Sequence, residues 1–286
     1  MDTFRSADLK KKQPSAFWKI MLNAVCFDDS TRCQSLLFQI LWHVNSKSPL
    51  DNEDPDGVKD ADVTFVFSNS DSGEQYITVD GNVGDRNNLS LWHNGDNLIN
   101  AVADANKNTV VVIHSVGPVL MPWIDHPNIK AVVWPGLPGQ ESGNSLADVL
   151  TGKVNPSGRL PYTIAKKASD YNVKIDPSAE FVYKEKLLMG YKWFDAQNIT
   201  PQFPFGHGLS YTNFTYSDLK LKAKKGHNNK AKVTASVAVK NSGSLDGAEV
   251  VQAYLNFPKS IKESPKVLVK KGKKTAIRFI LESTEV

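Results

Sequence analysis

From residue 61 onward, short continuous apolar runs alternate with apolar residues at helical spacing. Val63–Phe67 is an unbroken apolar and β-branched run bounded by polar turns, the pattern of a strand buried on both faces. Thr109–His114 is a second such run and Ile129–Trp134 a third. Between the first two, Leu98, Val102 and Ala105 are spaced for one helix face, with Gly95 just before them. After the third, Leu146, Val149 and Leu150 mark another helix, beginning near Glu141 and stopped at Gly152. This alternation predicts an α/β sandwich with an open, mostly parallel sheet. Sites in such sheets form in loops at the carboxyl ends of the strands. Three loops qualify: Ser68–Gly84, Ser115–Pro118 and Pro135–Gly143.

The flanking regions differ. Residues 1–57 form an unassigned, partly helical segment: Ala16–Cys26 and Ser35–Val44 each carry an apolar helical face, and Ser46–Asp60 has linker composition. Residues 58–165 make the α/β domain, and 166–212 an irregular linker rich, towards its end, in Gly, Pro and aromatics. Residues 213–286 turn all-β. "TYSDLKLKAK", "KAKVTASVAVKNSG", "AEVVQAYLNF" and "KKTAIRFIL" alternate in period two, predicting a small, incomplete β-sandwich.

Composition narrows the function classes. Of 286 residues, 41% are apolar and 22% charged, an ordinary globular balance. The net charge of +4 is mild, and its lysines cluster at Lys220–Lys232 and Lys259–Lys274 without interleaved aromatics or a nucleic-acid motif. This predicts a solvated surface and no nucleic-acid partner. No apolar run reaches the ~18 residues that would span a membrane. The N-terminus, with Arg5, Asp8 and Lys10–Lys12 ahead of an apolar stretch broken by Lys19 and Asn23, is a poor signal peptide. Cys26 and Cys33 can pair or stay free, and no Cys/His spacing suggests zinc. Asn88-Leu89-Ser90, Asn198-Ile199-Thr200 and Asn213-Phe214-Thr215 are N-glycosylation acceptor sequences if the chain is secreted.

Several motifs fail on inspection. "GLPGQESG" joins a strand to a helix, as a phosphate loop does, yet has neither fingerprint spacing nor Lys-Ser/Thr. "DGNVGDRNNLSL" starts like a calcium loop, but Leu91 stands where its twelfth residue, a Glu, belongs. His114 reads as a hydrogen-bonded structural residue, no G-x-S-x-G elbow supports a serine nucleophile, and Trp92, Trp123 and Trp134 read mainly as core. The loop Asp71-Ser72-Gly73-Glu74-Gln75-Tyr76 remains. Acids are common in turns, but this one leaves a buried strand and sits beside an aromatic ring.

The blocks "DSGEQYITVDGNVGDRNNLSLWHNGDNLI", "VVVIHSVGPVLM", "AVVWPGLPGQESGNSLADVLTGKVNPSGRLPYTI" and "FPFGHGLSYTNF" follow in order. Over about 58–282 they resemble the C-terminal part of fungal β-glucosidases of glycoside hydrolase family 3. The resemblance implies an N-terminal (β/α)8 barrel holding the glucose pocket and an Asp nucleophile, then an α/β sandwich supplying the acid/base, then a fibronectin III-like domain. The family's "D-S-G-E-G-Y" loop falls on Asp71–Tyr76. Glu74 is thereby implied as general acid/base and Tyr76 as a leaving-group contact, with Gln75 replacing the usual Gly. The implied ligand is a β-glucoside or cello-oligosaccharide, with no metal or organic cofactor.

The nucleophile motif of the family, Ser-Asp-Trp, does not occur: Ser70-Asp71 and Ser217-Asp218 are followed by Ser and Leu, and no other Ser-Asp pair is followed by Trp. Residues 1–57 are too few for a barrel of about 250 residues. The expectation is a fragment of a retaining, secreted β-glucosidase, inactive alone because it supplies one carboxyl of the two needed. A non-catalytic carbohydrate-binding or interaction module, or another exo-glycosidase such as a β-xylosidase, are the rival readings.

Overall fold

The computed structural model describes residues 22–25, 56–79, 81–174, 182–225, 231–255 and 267–268. The chain divides into two compact units, the first drawn from 1–154 and 162–205, the second from 155–161 and 206–286.

The first unit is built on a parallel sheet ordered β1-β2-β5-β6: β1 (Leu22–Val25), β2 (Val63–Ser70), β5 (Thr109–Ser115) and β6 (Ile129–Val133). The three apolar runs are thus β2, β5 and β6, with β2 and β5 each running one to three residues past the apolar stretch into Ser70 and Ser115. Leu22–Val25 differs from expectation. Inside a stretch with an apolar helical face, these residues pair in parallel with Val63–Val66. The open edge of β2 offers unpaired backbone groups, and a four-residue partner that satisfies them overrides local helical periodicity. Ser35–Val44 and the cysteines lie outside the described residues.

Helices cover both faces of the sheet. Helix α2 (Gly95–Ala105), which follows the short helix α1 (Asp56–Lys59), buries Leu98, Ile99, Val102 and Ala103. It lies on the face that β2 lines with Thr64, Val66 and Ser68: a Cβ on Gly95 would collide with the Ser68 hydroxyl. Only glycine lets the helix start that close to the strand. Helix α3 (Ser142–Leu150), preceded by a 3-10 turn at Gly139–Glu141, packs Leu146 and Leu150 on Phe65, Phe67, Val112 and Val133 of the other face. The buried Asn106 amide locks the α2–β5 corner by donating to the carbonyls of Val58 and Ala61, both at 2.7 Å. A fourth helix, α4 (Tyr191–Gln197), belongs to the same unit, and its Phe194 meets Tyr171 edge-on.

The second unit contains a long antiparallel hairpin of β7 (Phe214–Lys225) and β8 (Ala231–Asn241), and a short pair, β9 (Tyr254–Leu255) with β10 (Val267–Leu268). A bulge between Ser217 and Lys220, with Asp218 at φ 53°, interrupts the hairpin register. Of "AEVVQAYLNF", residues 248–253 are not a strand. Their polar side chains are held sideways instead: Glu249 pairs with Arg159 at 2.7 Å and Gln252 donates to the Gly206 carbonyl at 3.1 Å. Asn155 ties the unit together, donating to the Asp246 carbonyl and accepting from Ser210 Oγ and the Tyr211 amide. "KKTAIRFIL" lies outside the described residues. The fold class is a parallel α/β sheet sandwich with separate antiparallel strands of a fibronectin III-like kind.

Candidate functional site

The carboxyl ends of β2 and β5 end in paired serines. Ser70 and Ser115 are register partners, both buried, and each closes its strand. From Ser70 the chain enters the loop that carries Glu74. Two antiparallel two-residue strands stiffen it, β3 (Thr78–Val79) and β4 (Asn82–Val83). The Gly73 amide donates to the Gly84 carbonyl at 3.1 Å and the Gly84 amide returns to the Ile77 carbonyl at 3.0 Å. Within this frame the Ile77 amide donates to the Glu74 carbonyl at 2.8 Å, so Glu74–Ile77 is a tight turn.

The turn has one strained residue. Gln75, its second residue, adopts φ 52°, a left-handed conformation that glycine reaches without cost and L-residues do not. The turn lifts Glu74, Tyr76 and Ile77 out of the surface, and Tyr76 is 82% exposed. The ring and the carboxylate both face solvent rather than the core. Chemically, the pair offers proton transfer to or from a bound oxygen and a flat apolar face for the group carrying it.

The other loops supply supports. Arg86, just beyond the Glu74 loop, donates from its backbone amide to Ser72 Oγ at 2.9 Å. Its Nη1 donates to Ser70 Oγ at 2.9 Å and Ser115 Oγ at 3.3 Å, and its Nη2 to the Pro118 carbonyl at 2.8 Å. Burial pushes the guanidinium below its ordinary range, opposed by the nearby phenols of Tyr162 and Tyr171. His114, on β5, has its pKa lowered by burial, with Asp71 pulling the other way. Its Nε2 is buried and has no hydrogen-bond partner among the described residues, so the bonded structural role expected for it is not what this atom displays. The tryptophans divide. Trp123 is core, its Nε1 donating to Asp96 at 2.8 Å; Trp92 and Trp134 are half-buried, the latter donating to the Tyr162 hydroxyl at 2.8 Å.

Glu74 and Tyr76 therefore share one turn. The sequon asparagines are dispersed: Asn88 follows Arg86 and accepts the Ser90 amide at 3.0 Å, Asn198 ends α4 at φ 54°, and Asn213 precedes β7 in the second unit. All three are exposed. Arg86 and Ser72 are the site residues that sequence reasoning missed. The only trace was an Arg directly after the loop, which reads as a solvated charge. No group of His, Cys, Asp or Glu among the described residues could hold a metal ion, and none of their helices is long and apolar enough to cross a membrane.

Known proteins resemble this chain in sequence and fold. The family model described as "Glycosyl hydrolase family 3 C-terminal domain" matches residues 9–211, reaching back over most of the N-terminal segment that sequence reading left unassigned. "Probable beta-glucosidase L" of Aspergillus fumigatus is 50% identical over 220 residues, covering 72% of this chain and 30% of the relative. A "Beta-glucosidase" of Schizophyllum commune is 58% identical over 151 residues, 51% of this chain and 79% of the relative. Among solved structures, the β-D-glucoside glucohydrolase of Trichoderma reesei superposes with TM-score 0.76 at 37% identity, over 90% of this chain and 44% of that one. The chain spans about 30% of the length of the first curated relatives it matches.

Proposed function

Because the chain belongs to glycosyl hydrolase family 3, as its C-terminal domain, we propose that it serves a retaining β-glucosidase by supplying the general acid/base, Glu74. The carrying observation is the turn itself: a carboxylate at the carboxyl end of β2, held out by a glycine-framed loop beside the exposed ring of Tyr76. In a retaining mechanism one carboxyl protonates the glycosidic oxygen while a carboxylate ~5 Å away attacks the anomeric carbon. The covalent glycosyl-enzyme is then hydrolysed by water from which the first group, now ionised, takes a proton. On this reading Glu74 takes the first part, and the exposed ring of Tyr76 is the contact for the departing sugar. The nucleophile is a second carboxylate that no Ser-Asp-Trp motif in these 286 residues provides, so the 286-residue polypeptide by itself is inactive on this reading.

The substrate class is a terminal, non-reducing β-D-glucoside such as a cello-oligosaccharide. The setting is extracellular, supported by three exposed acceptor sequences at Asn88, Asn198 and Asn213. Glu74 is tested in a chimera in which this chain replaces its matched portion of the Aspergillus fumigatus relative. Glu74→Gln should lower kcat/KM for a glucoside with a poor leaving group by about 10²–10⁴, and lower kcat/KM far less for an activated aryl glucoside, whose departure needs no proton. Equal losses on both substrates, or none, would sink the assignment. Turnover by the 286-residue chain alone would sink the prediction of inactivity, and affinity for glucan oligosaccharides with no turnover in the chimera would favour a binding module.

A further inference from the structure

We propose that Arg86 is a positioning residue: it fixes where the Glu74 turn stands by fastening both ends of the loop to the last rung of the β2–β5 pair. The inference rests on the proposed role of Glu74 for its functional meaning, but its geometry is independent of that role.

The loop leaves the sheet at Ser70 and ends at Arg86, sixteen residues later. Its internal bonds, Gly73 to Gly84 and Gly84 to Ile77, make a closed frame, but they connect the loop to itself and not to the sheet. Asn69 of β2 donates to Asp71 at the loop's entry at 3.4 Å, and Arg86 ties the two limbs together at the strand ends. The Nη1 donor reaches the hydroxyls of Ser70 and Ser115, the terminal residues of two adjacent parallel strands. Nη2 reaches the Pro118 carbonyl in the loop after β5, and the backbone amide reaches Ser72 on the entering limb of the Glu74 loop. One residue thus spans four points, two at the strand ends, one in each loop. The outgoing limb is pinned beside the incoming one, and Glu74 lies two residues beyond Ser72.

The chemistry of the partners separates this from an ion pair. The Arg86 side chain donates to two neutral hydroxyls and one carbonyl, all needing a donor at a set angle. A guanidinium carries five donors in a rigid planar fork and can serve diverging acceptors at once, whereas an ammonium is a single point of charge. Ser70 and Ser115 are buried and their hydroxyls donate to the Ser90 and Gly117 carbonyls, so removal of the fork leaves their acceptor sites unfilled where bulk water does not reach freely.

The test is site-resolved amide hydrogen exchange on the 286-residue chain. With Arg86→Met, the amides of Gly73, Ile77 and Gly84 should exchange about tenfold faster or more, while those of Val111 and Ile113 in β5 keep their protection. Arg86→Lys should behave like Arg86→Met, and millimolar methylguanidinium should slow the loop amides of Arg86→Ala towards the wild-type rate. Unchanged loop exchange, full recovery by lysine, or equal acceleration in loop and β5 would each overturn the proposal. If Arg86 variants fail to fold, Ser72→Ala with Ser115→Ala removes two of the anchors without the charge. Faster loop exchange in that variant supports the proposal and unaltered exchange overturns it. None of these readouts needs a sugar. The acid/base reading fails separately, through Glu74→Gln in the chimera.

Discussion

Gly73 stands against Ile77 so closely that a Cβ on the glycine would overlap the Ile77 carbonyl oxygen, the same oxygen that accepts the Gly84 amide at 3.0 Å. Nothing flexible is available to move, because the obstructing atom is backbone. Gly73→Ala should therefore open the frame rather than compress it, at a cost of about 1–3 kcal/mol. Thermal unfolding should show a melting temperature lower by a few degrees. Amide exchange at Gly84 should rise with it, while α2 amides stay protected. An alanine variant with unaltered melting and exchange would mean the frame does not form in solution.

Gln75 offers the opposite sign. It holds φ 52° in the second position of the Glu74–Ile77 turn without glycine's freedom. Gln75→Gly should relieve about 1 kcal/mol of left-handed strain, less a part returned through the looser unfolded chain. The measured outcome is an unchanged or slightly raised melting temperature and slower exchange at Ile77, whereas Gln75→Val should lower the melting temperature and speed exchange at Ile77.

These two residues also mark how far sequence reading reaches. Val63–Phe67, Thr109–His114 and Ile129–Trp134 became strands because continuous apolar runs have few other places to go, and Gly95 and Gly152 bounded helices as their chemistry requires. Glu74 and Tyr76 were singled out by position and by resemblance to a family loop. The β1 pairing was illegible because four residues joined an edge 38 residues or more away, and local periodicity favoured a helix. Arg86 was illegible for a related reason. Its partners Ser70, Ser115 and Pro118 are brought together by register, and serines and a carbonyl leave no pattern in a sequence.

Asp96 should give an inverted pH dependence. It lies in the first turn of α2, where the helix dipole favours a carboxylate, yet burial raises its pKa and the Trp123 hydrogen bond only partly offsets that. With the folded pKa above the unfolded value, the folded chain holds more protons, so stability falls as pH rises through a window opening at 3.8 and extending upward. Asp96→Asn keeps an acceptor for Trp123 Nε1 and loses the charge. Urea midpoints should show this variant gaining on wild type from pH 3.5 to pH 7; a difference constant with pH would contradict it.

For His114 the pH window lies elsewhere. Burial lowers its pKa, so the unfolded chain takes up the proton first and stability is lost as pH falls below 6.5. The buried Nε2 has no partner among the described residues, so an apolar replacement forfeits no hydrogen bond there. His114→Leu should therefore be close to neutral at pH 8 and more stable than wild type at pH 5, read from melting temperatures at both. Loss of stability at pH 8 comparable to that of a core truncation would show that the ring serves a bond or packing that leucine cannot replace.

The second unit should depend on one ion pair. Arg159 Nη2 meets Glu249 Oε2 at 2.7 Å, with side chains only 11% and 15% exposed, and Glu249 Oε1 also accepts the Tyr216 hydroxyl at 3.0 Å. Removing one member of a buried pair leaves the other charge without compensation, typically at about 3–5 kcal/mol. Arg159→Met should therefore cost the unit far more than the exposed pair Lys153–Asp148, where loss of the lysine should cost about 0–1 kcal/mol. The expected readout is faster exchange along β7 and β8 with β2 and β5 unaffected. The double variant Arg159→Met with Glu249→Gln should recover part of the loss, since the amide leaves no buried charge and still accepts from Tyr216. A double variant no more stable than Arg159→Met alone would show that the guanidinium acts through its packing rather than through Glu249.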